Sequence, residues 1–441
     1  MKSDRQAPVA IIGAGFSGTM LAAQLARRGI ASMLIDGSNR EGRGIAYSTD
    51  EPAHLLNVRA EAMSAWPDEP DHFARWFEAG GGKRKGFAER RLFGRYLQAI
   101  LEEALGTGQV TLVRSNALAA HRADGRWSIT LEDGAKCTAS AAVLAIGNQP
   151  PETLRFAEKA GDRFFNNPWG RQAKPAVAQA AAAGGDVLII GTGLTMIDMV
   201  LSLDSAGHQG RVTALSRRGL MPRAHSEFTP APVGLDELPT ELLELWRWMR
   251  RRNGAVGWRA ATDSLRPHSH ALWQRLGLEQ QRRFMRHARP WWDVHRHRIA
   301  PEVATRVREL IAEGRLQVVA GRIESMRGVE GGVEVNMLRR GQAGISNKKL
   351  FAFAFNCTGP LGSIARTRDP LLKGLLESGA ARADALGVGL DVDDRSRAVG
   401  SERLWALGPL TKGRYWEIVA VPDIRGQAAA VADDIARELE R

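Results

Sequence analysis

Short uncharged runs, each followed by a glycine-rich turn and an amphipathic stretch, recur along the chain. The run VAII at residues 9–12 is β-branched and apolar, which is typical of a parallel strand covered on both faces. The stretch TMLAAQLARRG repeats apolar residues at helical spacing and ends at Gly29. SMLID then reads as a second strand that ends at Asp36. The pattern predicts a strand–turn–helix–strand unit at residues 9–36.

The same unit occurs a second time, near the middle of the chain. DVLII at residues 186–190 is again a buried-strand pattern, and it leads through two glycines into a helix. VTALSRRG at residues 212–219 supplies the next strand. The third position of the turn is Met196, where the first copy has Gly18, so we expect looser packing of helix on strand here.

Each unit is followed by runs in which apolar and polar residues alternate with a period of two. VTLVRSNALAAHRADGRWSITLEDG has turn signals at 124–125 and 133–134 and predicts a β-meander leading into AAVLAIGN at 141–148. After the second unit, a helix at 301–313 and the runs LQVVAGRIESM and GVEVNML lead into FAFNCTG at 353–359. The duplication predicts an α/β fold with two dinucleotide-binding Rossmann-type domains, each with a β-meander.

The order of these units along the chain predicts a split domain. We expect residues 1–165 and 350–441 to form the first dinucleotide-binding domain. We expect residues 166–349 to form the second, which carries a helical insertion at about 227–300.

The first turn has the residues that a pyrophosphate site needs. Gly13 permits the tight turn, Gly15 lets backbone N–H groups approach a pyrophosphate, and Gly18 lets helix and strand pack closely. The phosphate charge then sits at a helix N-terminus, where unpaired N–H groups and the dipole favour an anion. Asp36 lies at the right spacing to accept hydrogen bonds from a ribose diol.

The second turn differs at its far end. Gly191 and Gly193 take the turn and phosphate positions, but the strand ends in Ser216-Arg217-Arg218 instead of an acid. A carboxylate repels a phosphate, whereas arginines bind a 2′-phosphate through charge-assisted hydrogen bonds. This predicts FAD at the first turn and NADPH at the second. The alternative is that the two arginines are a solvated surface pair.

Composition and charge narrow the class of protein. The 441 residues are 44% hydrophobic and 25% charged, as in a globular protein of two or three domains. The net charge of +12 favours anionic partners.

The two cysteines, Cys137 and Cys357, form no CxxC pair, which argues against a dithiol reductase and a metal cluster and fits a cytoplasmic setting. The uncharged run 9–26, which follows Lys2 and Arg5, resembles a signal peptide or a membrane helix. Its three glycines favour a buried strand and helix instead.

Residues 227–298 do not follow the Rossmann pattern and predict helices rich in arginine and tryptophan. They hold half of the chain's tryptophans and half of its histidines. Three interpretations compete: a wall of the substrate pocket, a dimer or partner surface, and a nucleic-acid surface, the last disfavoured because two dinucleotide sites already explain the positive charge. His295 and His297 stand only two residues apart without nearby Cys or acidic ligands, so we expect no metal site.

Several motifs resemble a known group of flavoproteins. The chain is similar to flavoproteins with two dinucleotide-binding domains, and most similar to the bacterial FAD/NAD(P)-binding proteins called YdhS-like. The motifs that carry this resemblance are GAGFSG, GRGIAYST at 42–49, HLLNVRAEAMSAWPDEPDHFARW at 54–76, LAIGN, IGTGLTMID with LSRRGLMPRAH, WDVHRHRIAP at 292–301 and NCTGP. In such folds the C-terminal segment closes the FAD site, which implies that LWALGPLTKG at 404–413 and the helix beginning near Pro422 lie by the flavin.

A more distant resemblance, to flavin-containing monooxygenases, concerns the chemistry. Their pattern of Leu, Asn, Met and aromatic-Pro-Asp matches Leu55, Asn57, Met63 and the stretch 66–68. This implies that Asn57 contacts the flavin and the nicotinamide; alternatively, Asn57 only satisfies a buried backbone group. Those enzymes also carry a phenylalanine–glycine–histidine fingerprint before the second turn, whereas RFFNNPWGRQ at 163–172 has no histidine, which leaves oxygen activation open.

The resemblance therefore implies an oxidoreductase in which NADPH reduces FAD and the reduced flavin reacts with oxygen. The main expectation is a monooxygenase that oxygenates a small substrate through a C4a-(hydro)peroxyflavin, with Asn57 as the catalytic residue. The alternatives are a flavin reductase or oxidase with an organic acceptor, and a redox-responsive FAD-binding protein without turnover. A homodimer is one further expectation. The predicted cofactor-binding residues are Gly13, Gly15, Phe16, Ser17, Gly18, Asp36, Gly44, Ala46, Tyr47, Leu56, Asn57, Val58, Ala117, Gly147, Asn148, Gly191, Gly193, Leu194, Thr195, Ser216, Arg217, Arg218, Gly359, Gly408, Ile424 and Gly426.

Overall fold

The computed structural model describes residues 7–342 and 346–440. Lys2 and Arg5, which precede the uncharged run, lie outside the described residues. The chain builds two parallel β-sheets in succession and then returns to the first sheet, as the repeat in the sequence predicts.

The first unit runs from the N-terminus to the strand that ends in LAIGN. Strand β1 lies between its two neighbours in a fully parallel arrangement, and every residue of it is buried because helices cover one face of the sheet and the antiparallel meander, together with a C-terminal helix, covers the other. The elements are β1 (Val9–Ile12), α1 (Phe16–Arg27), β2 (Ser32–Ile35), α2 (Gly44–Tyr47), α3 (His72–Ala79), α4 (Arg90–Gly106), β3 (Val110–Val113), β4 (Ala117–Ala123), β5 (Arg126–Leu131), β6 (Lys136–Ala139) and β7 (Ala141–Leu144).

The predicted meander is shorter than its alternating sequence suggests. β4, β5 and β6 form a separate antiparallel sheet of three strands, turned at Asp124 and Gly125, which both have positive φ. The preceding run VTLV does not belong to it. It forms β3, which pairs in parallel with β2 at the edge of the first sheet. Periodicity alone does not distinguish these two partners, because an edge strand has one solvated face in either sheet.

The second unit repeats the first. Its elements before the insertion are β8 (Phe164–Phe165), α5 (Ala173–Ala183), β9 (Val187–Ile190), α6 (Leu194–Ser205) and β10 (Val212–Ser216). β9 is buried throughout and pairs in parallel with β10, as β1 does with β2.

The insertion is helical, as predicted. It comprises α7 (Leu242–Leu265), α8 (Ser269–Arg275), α9 (Leu278–Arg283) and α10 (Arg289–Arg296). Its two ends lie side by side, because Ala224 and Ile299 form a parallel bridge and His225 N–H donates to Ile299 O at 2.9 Å. α10 ends at Arg296, so His297 lies beyond the helix.

After the insertion the chain completes the second sheet. The elements are α11 (Pro301–Ala312), β11 (Leu316–Val329), β12 (Gly332–Arg339), β13 (Ser346–Phe351) and β14 (Phe353–Asn356). The strand order is β13-β12-β11-β10-β9-β14-β8. The first part of β11 pairs in parallel with β10 and the remainder is antiparallel to β12, so the second meander is continuous with its parallel sheet. β14 pairs with β9, although it follows residue 350, where we expected the second domain to end.

The C-terminal segment returns to the first sheet. It contains α12 (Pro370–Glu377), β15 (Leu404–Ala406) and α13 (Val421–Leu439). β15 pairs with β7 and gives the order β15-β7-β1-β2-β3, while α13 packs against α1. The first sheet is thus built from both ends of the chain, with its own apolar cores on the two faces. Among the described residues, no helix has the length and apolar character that crossing a bilayer requires.

Candidate functional site

The first glycine turn joins β1 to α1 and leaves the helix N-terminus open. Gly15 is the N-cap residue of α1, no side chain caps the helix, and its first turn contains no acidic residue. The free N–H groups and the helix dipole therefore favour an anion at this point.

The surroundings of the first turn require glycine at positions 13 and 18. Gly13 has φ of +102°, and a Cβ atom there would lie 2.6 Å from Ala145 O. A Cβ atom on Gly18 would overlap the carbonyl oxygen of Gly13. Gly44, at the start of α2, approaches Gly15 so closely that a Cβ on Gly44 would lie 3.0 Å from the Gly15 Cα. The turn can thus hold a ligand against bare backbone.

Asp36 directly follows β2 and lies beside the turn. Its Oδ2 accepts a hydrogen bond from Ala14 N at 2.7 Å and its Oδ1 accepts one from Ser38 N at 2.7 Å. Each carboxylate oxygen has one further lone pair, so the residue can still accept hydrogen bonds from two hydroxyl groups. The uncapped helix, the bare glycine turn and this carboxylate fit the pyrophosphate and ribose of a dinucleotide such as FAD.

The second turn reproduces the geometry of the first. Gly191 has φ of +111°, and a Cβ atom there would overlap Cys357 O, as one on Gly13 would approach Ala145 O. Gly193 is the N-cap of α6, again without a side-chain cap or an early acid, so the first N–H groups, at Leu194 and Thr195, are open. Met196 is fully buried in the core on one face of the second sheet. Met196 has the Cβ atom that the first turn excludes at Gly18, so α6 cannot approach Gly191 as closely as α1 approaches Gly13.

The arginine-bearing turn after β10 is fixed by two hydroxyl groups. Ser216 Oγ lies 2.8 Å from Thr192 Oγ1 and accepts a hydrogen bond from Gly219 N at 3.0 Å, while Thr192 Oγ1 donates to Leu220 O at 2.5 Å. The Ser216 hydroxyl is therefore already engaged by the protein. Neither Arg217 nor Arg218 forms an ion pair within the described residues, which leaves both guanidinium groups available to an external anion.

The two units meet where their last parallel strands end. Gly147 follows β7 with φ of +68°, and Gly359 follows β14 with φ of +98°. Leu361 N donates to Gln149 O at 3.2 Å, so the two connecting segments are hydrogen-bonded to each other. Asn148 stands between Gly147 and Gln149 in this connection.

Asn57 lies in a segment that both units hold. Its backbone carbonyl accepts a hydrogen bond at 2.9 Å from the Nε2 of His225, which follows the arginine-bearing turn after β10. The side-chain amide of Asn57 forms no hydrogen bond with the described residues. The neighbouring Leu56 is buried in the first core, with Val58 packed against it. The Asn57 amide is thus presented without a partner at the junction of the two units.

A buried ion pair fixes this junction. Arg90 at the start of α4 forms a bidentate pair with Asp198 of α6, with Nη1–Oδ2 and Nη2–Oδ1 distances of 2.7 and 2.9 Å and side-chain exposures of only 13% and 8%. Arg90 Nε also donates to Leu55 O at 3.1 Å. His54 adds a bond from its Nε2 to Asp198 O at 2.9 Å. The segment beside Asn57 is therefore tied to the helix of the second glycine turn.

The C-terminal segment reaches the first turn as expected. A Cβ atom on Gly408 would lie 2.8 Å from the Ser17 hydroxyl and 3.7 Å from Ile424 Cδ1, which brings all three residues together. Gly408 N donates to the Gln427 side chain at 2.8 Å. Gly426 lies two residues beyond Ile424 in the first turns of α13, with open space where a Cβ would be.

The remaining predicted residues lie around the first turn at greater distance. Ala117 begins β4 directly after Asn116, which touches Gly37 behind Asp36. Tyr47 packs its ring edge-on against Phe93, and burial raises its pKa to about 12. Ala46 is exposed on α2, and Phe16 is buried in the core beneath the turn.

The two cysteines do not form a dithiol pair. Cys357 is buried, and burial together with the Asp198 charge raises the pKa of its thiol. Both cysteines are free. Among the described residues, no group of three His, Cys, Asp or Glu side chains could hold a metal ion. His295 packs against Trp258, whereas His297 lies 3.6 Å from Glu417, so the two histidines have different surroundings.

Three of the residues that organise the site escaped sequence reasoning. Arg90 belongs to no motif, no role was assigned to Asp198 or His225 at the ends of IGTGLTMID and LSRRGLMPRAH, and the partners of all three lie far away in the sequence. Only Asp198 gave a signal, as a single acid within the apolar stretch LTMIDMV, since a buried carboxylate needs a cationic partner.

His225 should make the protein less stable as the pH falls. Burial lowers the pKa of His225 from its usual value of 6.5. The unfolded chain gains a proton as the pH falls through about 6.5, while the folded chain keeps the ring neutral, so folding stability decreases below that pH. His225→Gln, which keeps an N–H donor for Asn57 O, is expected to reduce the loss of unfolding free energy between pH 7.5 and 5.5 in urea titrations.

The matched control is His121→Gln, on the exposed part of β4. It should leave the pH dependence unchanged. An equal slope in wild type and His225→Gln would show that the ring titrates as freely in the folded chain as in the unfolded one.

Comparison with known proteins supports this architecture. A family model described as FAD-NAD(P)-binding matches residues 10–149. No curated protein matches the chain significantly by sequence. Among solved structures, L-lysine 6-monooxygenase from Pseudomonas syringae has a TM-score of 0.69 at 16% identity, covering 98% of this chain and 99% of its own. Kutzneria sp. 744 ornithine N-hydroxylase, with reduced FAD, NADP+ and L-ornithine, has a TM-score of 0.63 at 16% identity, covering 98% and 100%.

A reductase is also similar. Thioredoxin reductase from Lactococcus lactis has a TM-score of 0.54 at 14% identity and covers 98% of this chain and 100% of its own. At these identities the likeness shows the fold alone. The expected α/β fold with FAD/NAD(P)-binding Rossmann-type architecture is confirmed, and it is that of flavoprotein oxidoreductases, both monooxygenases and reductases.

Proposed function

We propose that this chain is an FAD- and NADPH-dependent monooxygenase that oxygenates a small molecule. The observation that carries the proposal is the unpartnered Asn57 amide in a segment held by both glycine-turn units, through Arg90–Asp198 and His225. A group at that junction can contact ligands of both sites. Similar folds occur in N-hydroxylating monooxygenases, so the architecture is compatible with oxygenation.

In this proposal the two turns hold different dinucleotides. Gly13, Gly15, Gly18 and Asp36 bind the pyrophosphate and ribose of FAD, and the α13 N-terminus lies on the flavin side. When bound, FAD would supply hydride acceptance from NADPH and the activation of dioxygen. The protein's own task is to orient both ligands, to exclude water and to donate hydrogen bonds from fixed groups such as the Asn57 amide.

At the second turn, Arg217 and Arg218 bind the 2′-phosphate of NADPH. We assign Ser216 a positioning role, because its hydroxyl is engaged with Thr192 and Gly219 N. The FAD domain then comprises residues 1–165 and the C-terminal segment, and the NADPH domain lies between them. Since β14 pairs in the second sheet, we move the second boundary from residue 350 to about 358.

The second candidate function is a flavin reductase or oxidase with an organic acceptor. It is favoured by the stretch RFFNNPWGRQ, which lacks the histidine of the monooxygenase fingerprint. A dithiol reductase is not a candidate, because Cys137 and Cys357 are separate and Cys357 is buried. The absence of a disulfide between the two thiols fits a protein that acts in a reducing cytoplasm. The motifs of residues 42–76 favour a relationship to the YdhS-like proteins.

Stopped-flow absorbance tests the proposal. The FAD-loaded protein is reduced anaerobically with NADPH and mixed with oxygenated buffer. A transient near-ultraviolet band before the oxidised-flavin spectrum returns is expected. Asn57→Ala should shorten the lifetime of this band on the order of tenfold or more, because a preorganised donor is lost.

The control is Asn347→Ala, exposed on β13, which should leave the lifetime unchanged. Direct return of oxidised flavin with stoichiometric peroxide, with substrate absent or present, would favour the reductase or oxidase instead.

A further inference from the structure

The helical insertion forms a half-open apolar cavity that no cofactor site accounts for. Its volume is about 270 Å³, and it lies between α7, α8 and α10. Apolar side chains such as Leu245, Met249 and Leu272 form much of its wall. Six tryptophans complete it: Trp246, Trp258, Trp273, Trp291, Trp292 and Trp416. An engineered apolar cavity of ~150 Å³ is known to bind benzene, so a cavity of this size can hold a molecule of about two fused rings.

The polar groups at this cavity are cationic or neutral. Arg250 lines it and forms no ion pair with the described residues. His295 also lines it, and burial lowers the pKa of its imidazole, which keeps the ring neutral near pH 7. No aspartate or glutamate is among the lining residues in the part of the chain that the structure describes. An ammonium group would find no counter-ion here, whereas a carboxylate would find Arg250.

The cavity adjoins the segment that leads to α13. Trp273 stacks on Trp416 with ring centroids 4.8 Å apart, and its Nε1 donates to Gly413 O at 2.7 Å. Glu417 next to Trp416 is held by Arg296 at 3.1 Å. The same segment begins at Gly408, which touches Ser17 of the first glycine turn. One short stretch of chain therefore connects the cavity wall to the predicted flavin site.

We propose that this cavity binds an aromatic carboxylate of one or two rings, and that this is the substrate class of the enzyme. The assignment of the ligand as substrate rests on the proposed function, whereas the binding itself does not. The basic amino acids named for two structures of similar fold, lysine and ornithine, carry a side-chain ammonium group, for which no carboxylate is present among the described lining residues.

Calorimetric titration of the full chain without added cofactor tests the binding. The probe is 1-naphthoate, and its matched counterpart is 1-naphthylmethylammonium, which has the same rings and the opposite charge. We expect 1-naphthoate to bind at least about tenfold more tightly than the cation, because only the anion pairs with Arg250. Arg250→Gln should remove most of this difference, whereas Arg251→Gln, an exposed neighbour outside the lining, should not.

A filling substitution tests the location. Met249→Trp replaces the methionine side chain with a larger indole ring that fills part of the cavity, and it should weaken 1-naphthoate binding at least about tenfold. Leu243→Trp on the same helix is the control, since Leu243 is 59% exposed and outside the lining. Circular dichroism verifies that both variants are folded. Should Met249→Trp unfold, Leu245→Phe, a smaller enlargement of the same wall, replaces it.

The outcomes separate the inference from the proposed function. No measurable 1-naphthoate binding, equal binding of the cation, or binding unchanged in Met249→Trp overturns the inference, whatever the flavin chemistry. A wild-type dimer that Met249→Trp dissociates, without 1-naphthoate binding, assigns the cavity to a second copy of the chain instead. Binding of 1-naphthoate without any effect on NADPH oxidation by the FAD-loaded protein supports the site and rejects the substrate role.

Discussion

Gly18→Ala is expected to abolish the retention of FAD, with affinity reduced at least about a hundredfold, which corresponds to roughly 2.7 kcal/mol. The new methyl group would overlap the carbonyl oxygen of Gly13, and both residues belong to the backbone of the turn. Relief therefore requires α1 to move away from β1, which displaces the N–H groups of Phe16 and Ser17 from the pyrophosphate position. The bound flavin is measured by absorbance after gel filtration, and its affinity by titration with FAD.

The control for this prediction is Gly106→Ala at the end of α4. A Cβ atom there meets nothing within 4 Å, and the residue has no positive φ, so the variant should retain FAD like the wild type. Far-ultraviolet circular dichroism distinguishes loss of the cofactor from loss of the fold. A folded Gly18→Ala protein that retains FAD within threefold of the wild-type affinity would contradict the assignment of the first turn.

The double variant Arg217→Ala/Arg218→Ala is expected to lose its preference for NADPH over NADH. A hydrogen bond to a charged group contributes about 1.5–3 kcal/mol, so two lost arginines should reduce the ratio of kcat/KM values by on the order of a hundredfold. Both guanidinium groups lack ion-pair partners among the described residues, so their removal leaves no internal carboxylate unpaired. The measurement is flavin reduction under anaerobic conditions with each nucleotide.

Arg211→Ala provides the matched control, because Arg211 is exposed just before β10, at the opposite end of that strand. It removes one positive charge from the protein without altering the turn, whereas the double variant removes two. If the double variant kept the wild-type ratio, the two arginines would be a solvated surface pair, and the nucleotide preference would have another origin.

The two glycine turns could be predicted because the same constraint acts on sequence and structure. Gly13 and Gly191 have positive φ and approach the carbonyl of a neighbouring strand, so no other residue fits easily. Strand, turn and helix are also adjacent in sequence. Local pattern therefore contains all the information that these units need, and the order β1–α1–β2 and its repeat followed directly.

The junction could not be predicted, because it depends on pairs that are distant in sequence. Arg90 and Asp198 are 108 positions apart, and His225 is 168 positions from Asn57. The same reason explains the misplaced run VTLV: its alternation fits an edge strand of either sheet, and only the tertiary fold pairs it with β2. The proposed shift of the domain boundary has the same origin, since the sheet to which β14 belongs is decided by its pairing with β9.

The two ends of the helical insertion lie side by side, which bears on how this protein could have diversified. Because Ala224 and Ile299 are paired directly, the chain enters and leaves the helical region at a single place on the second unit. Since the two positions are paired in parallel, a connection of about a dozen residues could join them without altering the register of any strand, and the cost of closing a longer or shorter loop grows only slowly with its length. Residues 226–298 can therefore be exchanged as one block during evolution, so ligand preference can change while the nucleotide-binding scaffold is inherited intact.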